Sequence, residues 1–230
     1  MRIFDPKFHE RCPGLITHYE EKLMPRYAHS TAYIKDAIRT EAPSTTALLG
    51  RRTHAVFGLA TEIGELCETL QRGMGFNLDR VNTIEEIGDV LSYVAILCDS
   101  RGMTFEECMI AASRCTQSSL RRAAVRLKFH EEASIIDPVL SLAAASGKLT
   151  DLLKREIFYG KVAERCEFVE RIGDVLGQLT VLLWILGSTI DEAMDATICK
   201  LTARFPEKFA EKQAIERDLV AERAALEDAT

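Results

Sequence analysis

The sequence predicts an all-α protein, and three observations carry that prediction. Apolar residues recur at spacings of three and four rather than two, which is the period of a helix face and not of a strand. Only 13 Gly and 6 Pro punctuate 230 residues, too few for the frequent turns of an all-β chain. Hydrophobic residues at 47% and charged residues at 28% sit near globular averages, which excludes a disordered or fibrous chain. At this length the expectation is one large helical domain or two small ones.

The elements follow in order. Pro13, Pro25 and Pro43 break the first segment into short pieces, with helices expected over residues 14–24 and 31–39 and a loop at Glu41-Ala-Pro-Ser-Thr-Thr46. A long helix is expected over 47–72, stopped by Gly73-Met-Gly75. The next starts at Asn82 or Thr83, either of which can cap it, and runs to Ser100 before Arg101-Gly102. Thr104 with Glu107 makes a capping box that opens a further helix. The last helix is expected over 207–227.

The second half repeats this plan. Ile87-Gly-Asp-Val-Leu91 recurs as Ile172-Gly-Asp-Val-Leu176, an offset of 85 (Asp89 against Asp174), and Thr104-Phe-Glu-Glu-Cys-Met109 answers Thr189-Ile-Asp-Glu-Ala-Met194 at the same offset. With two more residues in the intervening loop of the second copy, Gly58-Leu-Ala60 faces Ser141-Leu-Ala143. An internal duplication is the expectation: a helical extension over 1–46, a first copy over 47–128, and a second over 129–230. Neither copy buries its apolar stripe alone, so the two pack as one pseudo-twofold helical bundle.

Composition also excludes partners. Lys and Arg total 29 against 35 Asp and Glu, a net charge of −6, and no polybasic run is present, so no nucleic acid is expected. The opening Met1-Arg-Ile-Phe-Asp-Pro-Lys7 lacks the apolar core of a signal peptide, and the most apolar stretch, 175–187, is too short to cross a bilayer. No membrane partner and a cytoplasmic location are therefore expected. The seven Cys include no CxxC pair, and Cys67, Cys98 and Cys166 fall inside helical patterns, which predicts reduced, buried thiols.

The chemistry concentrates in the first copy. Glu62-Ile-Gly-Glu65 lies on one helix and Glu86-Ile-Gly-Asp89 on the next. At about 100° per residue, Leu59, Ile63, Leu66 and Leu70 make one buried stripe, with Glu62 at its border, Glu65 one step further, and Glu68 pointing away. On the next helix Val90, Leu91, Val94 and Leu97 make the stripe, with Glu86 at its border and Asp89 beyond. If the stripes meet, four carboxylates converge, and repulsion raises their pKa values unless a cation lies between them. All-oxygen ligation with no nearby His or Cys suits Mg²⁺ or Mn²⁺. Ordinary solvated helix acids are the alternative, but both pairs enclose a mid-helix Gly, which costs about 1 kcal/mol relative to Ala and implies close helix approach. The second copy keeps Gly147, Gly173 and Asp174 while Ala145, Lys148 and Arg171 stand where Glu62, Glu65 and Glu86 do. The scaffold persists there without its acids.

Arg52-Thr-His-Ala-Val-Phe-Gly-Leu-Ala-Thr-Glu-Ile-Gly-Glu-Leu66 followed by Ile84-Glu-Glu-Ile-Gly-Asp-Val-Leu-Ser-Tyr93 resembles the ExxE…ExxD signature of the MazG-like all-α nucleoside triphosphate pyrophosphohydrolases. That superfamily includes the dimeric dUTPases and dCTP pyrophosphatases. The resemblance covers roughly residues 47–209. It implies a helical bundle, hydrolysis of an NTP or dNTP to the monophosphate and pyrophosphate, and Mg²⁺ held by Glu62, Glu65, Glu86 and Asp89. Glu62 or Glu65 then holds or deprotonates the attacking water. The stretch from Glu192 to Phe209, with Lys200 and Arg-Phe-Pro at 204–206, is similar to the family's closing segment, which implies that Lys200 and Arg204 meet the substrate phosphates. Exposed cations at a helix end are the alternative for both. Family members usually build the site from more than one protomer, so the fused halves could supply it within one chain, or two chains could form a homodimer.

Base recognition is less legible. His54, Phe57, Phe76 and Asn77 lie near the acidic helix and could meet a base, His54 and Asn77 by hydrogen bonding, although an aromatic at helical spacing is more often core, as are Tyr93 and Trp184. A dinuclear iron bundle needs Glu-x-x-His pairs, and here position i+3 is Glu65 or Asp89. A catalytically inactive nucleotide-binding protein of the same fold is the remaining alternative.

Overall fold

The computed structural model describes residues 27–41, 48–73, 78–127 and 133–229. They are all-helical, with no strand among the described residues: α1 (Tyr27–Ile38), α2 (Leu48–Gly73), α3 (Arg80–Arg101), α4 (Phe105–Leu127), α5 (Ala133–Tyr159), α6 (Arg165–Leu186), α7 (Ile190–Arg204), α8 (Glu211–Ile215) and α9 (Leu219–Ala229). The helix expected over 14–24 lies outside the described residues, as do Phe76 and Asn77.

Helix ends are set by local chemistry. α3 begins earlier than expected because Asp79, rather than Asn82 or Thr83, caps it, its carboxylate accepting the Asn82 N–H at 3.0 Å. Thr83 is buried instead, its hydroxyl donating to the Asp79 carbonyl at 2.8 Å. Gly102 (φ 62°) ends α3 and Gly187 (φ 69°) ends α6, each in the left-handed region a Cβ disfavours. The expected capping box forms, with the Glu107 N–H donating to Thr104 Oγ1 and the Thr104 N–H to the Glu107 carboxylate, and Thr189 with Glu192 repeats it before α7. The single helix expected over 207–227 is two: the chain after Pro206 is not helical, and Asp218 restarts it by accepting the Ala221 N–H at 3.0 Å.

Buried side chains from Tyr33 to Met194 form one continuous core drawn from α1 to α7. α2 packs on α3 and α5 on α6, while α4 crosses to α6, α7 to α3, and α2 lies against α5. Two glycines permit the crossings. A Cβ on Gly88 would overlap Thr197 Oγ1 and meet the Ala193 carbonyl at 3.2 Å, and one on Gly173 would meet the Cys108 carbonyl and the Ala112 nitrogen at 2.9 Å. Gly64 and Gly147 have nothing within 4 Å of that position, so close helix approach does not account for them.

No single described helix is long and apolar enough to cross a membrane. Cys98 and Cys108 are buried thiols, but Cys166 and Cys199 are exposed. Cys166 falls in the first turn of α6, outside the packed stripe.

Candidate metal centre

α2 and α3 lay their apolar stripes together: Leu59, Ile63, Leu66 and Leu70 on one side, Val90, Leu91, Val94 and Leu97 on the other, all buried. That seam carries Glu62, Glu65 and Glu86 to one margin, where one carboxylate oxygen from each lies within 4.8 Å of the others. Glu68 points away and pairs with Arg72 on the exposed face. Burial, with Asp89, Glu65 and Glu86 adding repulsion, pushes the Glu62 carboxyl from 4.5 to about 7. Glu86 rises to about 7 as well, first through burial and then through Asp89, Glu65 and Glu85. In both cases Lys200 offsets only part of the effect.

The expected quartet is a triad plus an ion pair. Both Asp89 carboxylate oxygens accept from Lys200 Nζ at 2.5 Å, and Glu85 accepts from the same ammonium at 3.3 Å. Lys200 is 1% exposed. It is therefore neither an exposed cation nor one free for phosphate, because α7 crosses α3 at Gly88 and delivers its side chain onto Asp89. Burial disfavours the ammonium, but Asp89 and Glu85 outweigh it, and the pKa is raised.

Arg204 is engaged as well. Its fork meets Glu222 of α9, with Nε donating at 2.9 Å and Nη2 at 2.5 Å, and Arg217 donates to the same carboxylate at 2.7 Å. Glu222 is 4% exposed, and despite its burial the two guanidinium groups hold its carboxyl down at about 2. Neither Lys200 nor Arg204 is thus presented as an unpaired phosphate contact.

The wall beyond the acids is aromatic. The Tyr93 ring covers Gly58, where a Cβ would overlap it, and stands edge-on to His54 with centroids 5.4 Å apart. Burial raises the Tyr93 phenol to about 12, with Glu62, Asp89 and Glu65 contributing. His54 Nδ1 is buried without a hydrogen-bond partner among the described residues. Phe57 is exposed, and Trp184 packs against the core.

The donor set fits a hard divalent cation. Three carboxylates from two rigid helices sit close enough to share one ion, no thiol or imidazole belongs to the group, and their charged forms are disfavoured without a counterion. No protein-family model, curated protein or solved structure matches the chain.

Sequence reasoning missed Glu85, Arg217 and Glu222. Glu85 was legible, since it lies one turn before Asp89 on the same helix face. Glu222 is buried with Leu226 one turn on, and an acid at an apolar-stripe position signals a buried partner, though not which one.

Proposed function

We propose that this chain is a metal-dependent nucleoside triphosphate pyrophosphohydrolase of the MazG-like kind, built from two tandem copies of which the first carries the site. The observation that carries the reading is the convergence of Glu62, Glu65 and Glu86 at one margin of the α2–α3 seam, with two of them held near a pKa of 7. The tandem plan is supported by reciprocal crossings at the 85-residue offset: Gly88 receives Ala193 and Thr197, and Gly173 receives Cys108 and Ala112. The domain limits 47–128 and 129–230 belong to this proposal, with the two copies sharing one core.

Glu62, Glu65 and Glu86 would hold Mg²⁺ or Mn²⁺, with Asp89 oriented beside them by Lys200. When bound, the ion supplies charge neutralisation for the triphosphate and a more acidic water. Glu62 or Glu65 would position a water against the α-phosphorus and take its proton as the new P–O bond forms and the bond to the pyrophosphate oxygen breaks, giving the monophosphate and pyrophosphate. His54, partly buried beside Tyr93 and two turns from Glu62, is the polar side chain this reading assigns to the nucleoside.

The test is incubation with a panel of NTPs and dNTPs plus Mg²⁺ or Mn²⁺, quantifying monophosphate and pyrophosphate. Glu65→Gln and Asp89→Asn should each abolish release while the helical circular dichroism is kept. Full activity in either variant defeats the assignment, and nucleotide binding without turnover by the unmodified chain would assign the inactive, regulatory reading instead.

A further inference from the structure

The acids at the margin of the α2–α3 seam fall into two groups, and one ammonium divides them. Glu62, Glu65 and Glu86 form the close group, while Glu85 and Asp89, one turn apart on α3, both accept from Lys200 Nζ. The lysine is built into this place. Its side chain is 1% exposed, it meets both Asp89 oxygens at 2.5 Å, and it comes from α7, one turn beyond the Thr197 that packs against Gly88. Its charge offsets part of the repulsion at Glu62 and Glu86, so the triad and the ion pair form one electrostatic unit.

The second copy shows that the helix crossing does not call for this ammonium. At the 85-residue offset Lys200 corresponds to Cys115, yet α4 still crosses α6 at Gly173, with the Cys108 carbonyl and the Ala112 nitrogen against it. Asp174, the counterpart of Asp89, is met by Arg171 of its own helix at 2.9 Å. The buried lysine thus accompanies the acids and is missing where Ala145, Lys148 and Arg171 replace them. Replacing a buried ion pair by apolar side chains is often neutral or stabilising, so packing alone gives no reason to bury a lysine here. A carboxylate that holds an ammonium through both oxygens is also a poor ligand for a divalent ion, because the two cations would stand within a few ångströms and repel.

We propose that Lys200 takes the place of a second metal ion: by holding Asp89 and Glu85 it limits the centre to one divalent cation, carried by Glu62, Glu65 and Glu86. Lys200 is then a positioning residue for the metal centre proposed above, on which this role rests, and not a phosphate contact.

The experiment titrates Mn²⁺ into the full chain, with the free ion read by electron paramagnetic resonance and thermal unfolding followed in EDTA and in saturating Mn²⁺. The unmodified chain should bind one ion. Lys200→Met frees Asp89 and Glu85 and should bind two, the second being lost again when Asp89→Asn is added. Mn²⁺ should also raise the melting temperature of Lys200→Met by more than that of the unmodified chain, a recovery that a purely structural lysine would not give. Two ions on the unmodified chain, one or none on Lys200→Met, an equal rise in both melting temperatures, or a Lys200→Met chain that Mn²⁺ fails to restore to the fold would each overturn the role of Lys200 and leave the metal centre standing. An unmodified chain that binds no ion would overturn both.

Discussion

Replacing Glu62 by Gln separates a crowded carboxylate from one that holds the fold together, because the two cases predict opposite signs. The Glu62 carboxyl is raised from 4.5 to about 7 by burial and by neighbouring acids. A group with a raised folded pKa contributes its stability below its unfolded pKa and loses it as pH rises through the folded value. The metal-free chain is therefore most burdened by Glu62 above pH 7, and not at all below about 4.5. For a sealed site the shift corresponds to roughly 3 kcal/mol. Glu62 is partly open to solvent, which screens it, so about 1–2 kcal/mol is carried forward. At roughly 2–4 °C per kcal/mol for a chain of this size, Glu62→Gln should raise the melting temperature by about 3–6 °C at pH 8 in EDTA and leave it unchanged near pH 4.5. Added Mn²⁺ or Mg²⁺ should then stabilise the unmodified chain and not the variant. The assay is thermal unfolding by circular dichroism across pH, with and without metal. A variant that melts lower than the parent at pH 8 in EDTA would refute the crowding argument, since the carboxylate would then be a stabilising partner.

Lys200→Met leaves Asp89 and Glu85 without their shared cation, and breaking a buried pair costs about 3–5 kcal/mol, so a fall in melting temperature near 10 °C is expected at pH 8. Lys200→Met combined with Asp89→Asn should cost less than the sum of the two single changes; an additive loss would contradict the pairing. The two glycines of the acidic motifs should part company: Gly64→Ala, with open space around it, gains about 1 kcal/mol, whereas Gly88→Ala meets Thr197 and loses about 1–2 kcal/mol. Urea unfolding of both variants decides it, and equal behaviour would sink the crossing described at Gly88. Glu222 has a folded pKa of about 2, below its ordinary value, so its contribution is complete above about pH 4.5 and is lost as pH falls toward 2. Glu222→Gln should therefore cost about 3 kcal/mol at neutral pH and flatten acid denaturation between pH 4.5 and 2; an unaltered acid profile would remove Glu222 from the Arg204–Arg217 clamp.

The sequence by itself determined most of the helices before residue 205, because their signals are local. The 3.6-residue period marks the buried stripe of α2, glycine at 102 ends a helix wherever the chain goes next, and Thr104 caps the residues that follow it. It also led to the expectation that four carboxylates, Glu62, Glu65, Glu86 and Asp89, would converge if the stripes of consecutive helices met; the first three form the close group. What only the tertiary structure decided is how the charges pair across distance. Lys200 lies 111 residues from Asp89, and Glu222 comes from a helix beyond a break that the helical pattern did not reveal. A lysine or an arginine carries a charge but no address. Which carboxylate it finds depends on the crossing of helices remote in sequence, and that crossing depends on where two side chains are small enough to let backbones touch: at Gly88 and Gly173, and not at Gly64 or Gly147.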